Sequence, residues 1–391
     1  MLAGTVLAQS EPTSRGPSYP RIARFYGAGV YKGRSKEHLD LVSQYDLIVG
    51  GVGANADKEV AYLRQKNPHI RLLFYYSIKE NKAGRKEVKD SWWLRTIDGK
   101  HASDWPGQHK LNLTIPEVVD FVVNDILAKF HKASFQWDGI FFDCFEQRMR
   151  GGRQFDLDGD GKPDDKRELD RKWAAGVNRI VSEGFRRTGG KLLYMCNSWY
   201  LADGPYEYLN GSLGEGVIDR IYYGKSHKWT WASNLALYHK WMKLGRKPCL
   251  VSLVNGDGKI HNAWERKELY KQGKMEADLE AARRDEQRMR FGLATTLMGD
   301  GYFAYNAYTS RGDWWYKEYD APLGYPAGDA KEMPDGTWQR RYDGGRVLVN
   351  PTPKPVNIQL DRPYIDATTG DPVTALDLPS QDGRLLIAPK K

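Results

Sequence analysis

The chain has 391 residues, 40% of them hydrophobic, and a net charge of +9 from 59 Lys and Arg against 50 Asp and Glu. That length suits one large core with a small appendage. The positive charge is scattered, with no long basic block or RNA-binding aromatic motif, which sets nucleic acid aside as a partner.

No apolar run reaches the length of a transmembrane segment. The three cysteines, Cys144, Cys196 and Cys249, fall in or just after apolar runs and read as buried small hydrophobes rather than a disulfide framework. With 13 Trp and 23 Tyr the chain is rich in flat apolar faces with a polar edge. Such faces suit the CH-rich side of a sugar ring, although large cores use them too. Residues 1–20 read as a signal remnant and linker: Met1 to Ser10 is apolar, ends on small residues and leads into a Ser/Pro/Gly stretch. The expectation from it is export, to the medium or the cell envelope, with a cytoplasmic protein as the alternative.

From there apolar runs alternate with amphipathic stretches. Strand Ile22 to Tyr26 precedes a helix over Ser35 to Ser43; strand Tyr45 to Gly50 precedes a helix over Lys58 to Lys66; strand Ile70 to Tyr76 is third. A long segment from Lys79 to Asn112, carrying Trp92, Trp93 and Trp105, reads as one wall of a cleft. Thr114-Ile115-Pro116-Glu117 has the form of a capping box opening the next helix. Trp137-Asp138-Gly139-Ile140-Phe141-Phe142-Asp143 is the fourth strand, an unbroken apolar run of the kind found in parallel sheets, with a carboxylate at its tip. A helix over Lys166 to Arg187 and strand Lys191 to Asn197 follow. The sixth strand, Gly211 to Gly216, is glycine-rich, which weakens a strand but lets another backbone approach. A helix over Trp231 to Leu244, strand Cys249 to Asn255, a charged helix over Met275 to Leu297 and strand Gly301 to Asn306 complete the series.

Eight strand–helix units over residues 21–325 predict a (β/α)8 barrel, with a doubly wound open sheet as the alternative; no Gly-rich phosphate turn follows the first strand. From Pro326 the texture changes to short alternating runs. Asp343-Gly344-Gly345 marks a hairpin, so residues 326–391 read as a small antiparallel β domain.

Barrels keep their chemistry at the C-terminal ends of their strands, and glycosidic bonds are cleaved by two carboxyl groups. Asp143 on the fourth strand and Glu215 on the sixth are the candidate pair, Asp143 as nucleophile or base and Glu215 as general acid. Glu146, just beyond Asp143, reads as substrate-binding. Asn197, Asn255 and Asn306 end other strands and offer amides matched to sugar hydroxyls. Tyr26, Tyr76, Trp199 and Tyr305 are candidate stacking surfaces. The loop Asp156-Leu157-Asp158-Gly159-Asp160-Gly161-Lys162-Pro163-Asp164 sets Asp156, Asp158, Asp160, the Lys162 carbonyl and Asp164 at calcium-loop positions. Arg167 stands where the closing Glu would be, and a solvated acidic turn capping the next helix is the other reading. A calcium ion here would be structural; no organic cofactor is expected. Serine-triad and P-loop motifs are absent, and the histidines are too dispersed for a zinc site.

Taken together, Trp137 to Asp143, Gly211 to Gly216 with Glu215, Leu111-Asn112-Leu113-Thr114, Trp314 to Gly324 and Gly345 to Pro351 resemble a family of hypothetical glycoside hydrolases of TIM-barrel type, the one numbered fifteen. The resemblance runs from about residue 21 to 350. It implies the barrel, an acid on strand four and a Glu on strand six; the substrate does not come with it. The first expectation is a glycoside hydrolase acting on a poly- or oligosaccharide, a carbohydrate substrate whose sugar is left open, as is the oligomeric state. The rival expectation is a glycan-binding barrel without catalysis, whose acids only hold hydroxyls or calcium. A lyase or another barrel hydrolase is a third.

Overall fold

The computed structural model describes residues 16–149, 154–157, 160–201, 204–222, 230–255, 286–305 and 315–389. In chain order they form β1 (Ala23–Phe25), α1 (Lys36–Val42), β2 (Leu47–Val49), α2 (Asp57–Lys66), β3 (Arg71–Ser77), β4 (Glu80–Lys82), β5 (Gln108–Lys110), α3 (Pro116–His131) and β6 (Gly139–Asp143). There follow α4 (Lys166–Arg187), β7 (Leu193–Cys196), β8 (Gly211–Glu215), α5 (Val217–Tyr222), α6 (Trp231–Leu244), β9 (Ser252–Asn255), α7 (Glu286–Thr296) and β10 (Tyr302–Tyr305). The C-terminal part is β11 (Lys331–Glu332), β12 (Trp338–Tyr342), β13 (Gly345–Asn350), β14 (Val356–Asp366), β15 (Pro372–Leu378) and β16 (Asp382–Ile387).

Eight parallel strands run in the order β1-β2-β3-β6-β7-β8-β9-β10. Phe303 N donates to Arg21 O at 2.9 Å, and a parallel bridge between Ile22 and Phe303 brings the last strand back to the first. The fold is a (β/α)8 barrel, as the alternation of runs predicts. Its interior is packed by alternate residues, Phe25, Val49, Leu73, Phe141, Met195 and Leu213 among them, while Ile48, Leu72, Ile140 and Phe142 face the helices. Both faces are covered, which is why these strands read as continuous apolar runs.

Observed strand ends differ from the expected ones by at most three residues, β9 starting at Ser252 instead of Cys249 and β3 running one residue past Tyr76, an ordinary fraying of boundaries. Of the charged helix expected over Met275 to Leu297, the described part is Glu286–Thr296. The capping box needs correction. The helix starts at Pro116 with Ile115 as its cap, and Thr114 turns back instead, its hydroxyl donating to Asn112 Oδ1 at 2.6 Å. Glu117 faces outward to Lys89 Nζ and Trp92 Nε1. The segment from Lys79 to Asn112 is not open loop: β4 and β5 pair as a hairpin, Glu80 opposite Lys110.

The six C-terminal strands form an antiparallel sheet in the order β11-β12-β13-β16-β14-β15, with the Asp343-Gly344 turn joining β12 to β13. It docks on α7. Arg290 reaches Asp382 with two bonds of 3.0 Å, the two residues being 9% and 1% exposed. Tyr342 donates to Leu297 O at 2.6 Å, and Arg340 to Asp300 at 2.7 Å. No helix among the described residues is long and apolar enough to cross a membrane.

Candidate active site

Strand alternation decides which side chains reach the barrel mouth. Phe141 fills the interior of β6, so Asp143 is the next residue on that face. By the same count Met195 is followed by Asn197, Leu213 by Glu215, and Leu73 by Tyr75 and Ser77; Ser77 lies in register with Asp143. These tips surround a cleft of about 1160 Å³ lined by Tyr26, Tyr75, Asp143, Asn197, Trp199 and Glu215. The hairpin side of the same cleft is made by Lys79, Glu80, Asp104, Trp105 and Lys110, with Glu146 beside them.

Asp143 is held by three donors. Tyr75 Oη lies 2.6 Å from Oδ2, and the Cys144 amide and Asn197 Nδ2 each lie 2.8 Å from Oδ1. Three donors suit a carboxylate in its acceptor-only, ionised form. The same Asn197 nitrogen is 3.0 Å from Glu215 Oε2. With the acceptor-only Asp143 carboxylate on one side, the amide presents its nitrogen. One nitrogen thus spans the fourth and sixth strand tips. Burial and then the Asp143 charge push the Tyr75 phenol far above its usual range, so it stays a donor. The Cys144 thiol is pushed up to about 12 by burial and Asp143, which leaves it no nucleophile. Tyr26 and Cys144 adopt φ of 60° and 57°, a left-handed conformation rare for such side chains. Strain of this kind gathers at functional sites.

On the hairpin side, Lys79 is 2% exposed and bonds Glu146 Oε2 at 2.7 Å and Asp104 Oδ2 at 3.3 Å. Burial works against its charge, but Glu146 and Asp104 more than offset it, so its pKa ends above the usual value. Lys110 bonds Asp104 at 2.7 Å.

Of the expected site residues, Asp143, Glu215, Glu146, Tyr26 and Asn197 meet in the cleft. Trp199 lines it too, but is 7% exposed and mostly packed, with Nε1 donating to Asn234 at 2.9 Å. Tyr76 is a correction: it sits one residue out of phase with Tyr75, faces α3 and donates to Asp125 at 2.5 Å. Tyr305 is another. Its neighbours Tyr302 and Ala304 belong to the barrel interior, whereas its ring packs edge-on against Tyr316 and its hydroxyl meets Arg288. Asn306, Asp158 and the side chain of Asn255 lie outside the described residues. In the acidic loop, Asp156 accepts from the amides of Asp160 and Gly161, and Asp164 from that of Leu157. Lys162 and Asp160 close a turn through the Lys162 amide. Among the described residues no group of three or more His, Cys, Asp or Glu is placed to hold a metal.

Sequence reading missed Tyr75, Glu80 and the Lys79–Asp104–Lys110 set. The phase of β3 could have singled out Tyr75, since Leu73, Tyr75 and Ser77 share one face. The others sit on a hairpin whose pairing no short motif marks.

Solved structures with the same architecture include an alpha-amylase from Lactobacillus plantarum, with TM-score 0.55 and 10% identity over 94% of this chain and 98% of that one. A maltogenic alpha-amylase, AmyB, from Thermotoga neapolitana gives TM-score 0.56 and 9% identity over 94% and 98%. The cyclic alpha-maltosyl-(1→6)-maltose hydrolase from Arthrobacter globiformis gives 0.52 and 10% over 94% and 99%. At these identities the likeness establishes the fold. No curated protein matches the sequence. Residues 64–346 do match one family model, and the chain accordingly belongs to hypothetical glycosyl hydrolase family 15.

Proposed function

We propose that the protein is a glycoside hydrolase of the retaining type, with Asp143 as nucleophile and Glu215 as the acid and base. The observation that carries this reading is the single Asn197 nitrogen bonded to both carboxyl groups. Two bonds of 2.8 and 3.0 Å to one nitrogen cap the separation of the two bonded oxygens short of the roughly 6.5 Å at which inverting pairs begin, which favours the closer spacing of retaining pairs. Asp143, with three donors fixing its lone pairs, is oriented for attack on an anomeric carbon above it. Glu215, held by the same amide, stands where it can protonate the departing oxygen and later take a proton from water. The family assignment and the sugar-sized cleft favour a carbohydrate substrate.

Asp143→Asn and Glu215→Gln test the assignment on polysaccharides cleaved by the wild type in a panel with product analysis. Asp143→Asn is expected to lose turnover by roughly a thousandfold or more, and Glu215→Gln by about 10² to 10⁴-fold. Both should keep binding. Azide should restore cleavage in the Asp143→Asn protein with an inverted product. Full activity in either variant rejects that residue's role.

A glycan-binding barrel without turnover is the competing function, and an inactive wild type that binds glycans would select it. Calcium belongs to the proposal as a brace for the acidic loop. Gly161, at the sixth position, has the φ of 78° that the sharp turn of such a loop demands. Excess calcium should raise the Tm, an effect lost in Asp156→Ala; an unmoved Tm removes the ion from the proposal.

A further inference from the structure

Glu80 is the one carboxyl group on the cleft wall whose side chain makes no hydrogen bond or ion pair with the described residues. It is 7% exposed; its Oε1 is shut off from solvent without a partner, which leaves Oε2, also without a bond to the described residues, as the oxygen open to the cleft. Its backbone is pinned opposite Lys110 in the β4–β5 hairpin. The neighbouring ammonium groups are engaged elsewhere, Lys79 with Glu146 and Asp104, and Lys110 with Asp104. Leaving a buried carboxyl oxygen unsatisfied is costly, and native structures keep few such groups without a purpose.

The position is informative. Around the barrel mouth the strand order β3-β6-β7-β8 puts Glu80, just beyond β3, on one side of Asp143, and Glu215 on the other with Asn197 between. Ile78 N donates to Asp143 O at 3.2 Å, so Glu80 starts from a backbone tied to the strand that carries the nucleophile. All three carboxyl groups line one cleft. A ring seated over Asp143 with its scissile oxygen toward Glu215 has its far edge, and the hydroxyls on that edge, on the hairpin side.

We propose that Glu80 is a third carboxyl group of the substrate site, accepting hydrogen bonds from hydroxyls of the sugar unit that sits over Asp143, on the side away from Glu215. This rests on the glycosidase reading for the placement of the ring. The recognised chemistry is a sugar unit with free hydroxyls on that edge. The charged groups facing Glu80 are Lys79 and Asp104, Lys110 across the hairpin, and Asp143 on β6. Burial raises the Glu80 pKa, Asp104 and Asp143 add to the rise, and the two lysines oppose it. The ionised form is the better acceptor for two hydroxyls, so substrate binding should tighten as pH rises through the acid range.

The test uses the full-length chain. The Asp143→Asn protein, with and without Glu80→Gln, is applied to a printed glycan array, and the wild type and Glu80→Gln are compared kinetically on the oligosaccharide bound best. Expected are a loss of array binding of roughly tenfold to a hundredfold and a matching rise in KM, with kcat within about threefold. The acid-side pH dependence of KM should vanish in Glu80→Gln. Glu80→Asp, which keeps the charge and withdraws it by one methylene, should also raise KM, and it serves if Glu80→Gln fails to fold. Unchanged KM and array binding overturn the proposal while leaving the hydrolase reading intact. A fall in kcat at constant KM overturns it as well, by making Glu80 a proton-transfer group. Glu80-dependent binding without cleavage by the wild type sinks the hydrolase reading and keeps this one. An array with no bound glycan overturns the Glu80 assignment outright.

Discussion

Asp143 shows how a residue's surroundings are set by strand phase. Its chemical identity and its place at a strand tip were legible in the sequence, because an apolar run that stops at a carboxylate is the mark of a parallel strand reaching water at its C-terminal end. Its donors were not legible in full. Asn197 stood out as a strand-end amide, but Tyr75 and Tyr76 are adjacent and chemically alike, and only the direction of the pleat separates them. Another titratable residue gives a separate prediction at this scale. Asp46 accepts the Ile22 amide at 3.0 Å beside β1, and burial raises its pKa to about 6. A carboxyl group harder to ionise in the folded chain than in the unfolded one costs stability as pH rises through that interval. The wild type should therefore lose stability between pH 3.8 and pH 6 relative to Asp46→Asn, and the two Tm profiles should converge at lower pH. Parallel profiles across that range would show that Asp46 ionises freely in the folded chain.

Among the elements, β8 was the hardest to recognise, since glycine weakens strand propensity. The structure supplies the reason for the glycines. A Cβ on Gly211 would stand 2.4 Å from Val251 N, and one on Gly214 would stand 2.9 Å from Leu253 Cδ2 on β9 and 3.1 Å from the Trp199 ring. The low propensity is the consequence of close approach by β9 and by an indole. Gly211→Ala is expected to destabilise the protein by about 1–3 kcal/mol through overpacking against backbone that cannot give way. A Tm within a degree of wild type would show that β8 and β9 can separate without cost. The capping box at Thr114 failed for a related reason: the short pattern was present, but Asn112 offered the Thr114 hydroxyl and amide a nearer partner. The hairpin with Lys79, Glu80 and Lys110 escaped notice because antiparallel pairing across 25 intervening residues, 83–107, leaves no periodic trace.

At the scale of the whole molecule, the barrel and the terminal sheet share α7. Arg290 on that helix and Asp382 on β16 form a buried, doubly bonded pair, and Arg384 adds a 2.7 Å bond to the same carboxylate. Removing Arg290 leaves buried Asp382 with Arg384 as its remaining cation. Arg290→Ala should cost about 3 kcal/mol, the low end for a broken buried pair, whereas Arg290→Met with Asp382→Leu should recover much of it. Urea unfolding of the three proteins measures this, and a single variant as stable as wild type would show that the sheet is only loosely attached. The short alternating runs of the C-terminal part predicted an antiparallel sheet, and one is present. They did not reveal how closely the sheet is joined to the barrel, because charge pairs between distant segments have no local signature.

Gly383 draws this contact tighter still, since a Cβ there would meet Ala294 Cβ at 2.3 Å. The terminal sheet is therefore no detachable module. A chain cut after residue 325 to obtain a minimal barrel would uncover the apolar flank of the helix between the seventh and eighth strands, along with an arginine that has lost its counter-ion. Such a product belongs in inclusion bodies, and anyone trimming this protein for crystals or for industry should keep its tail.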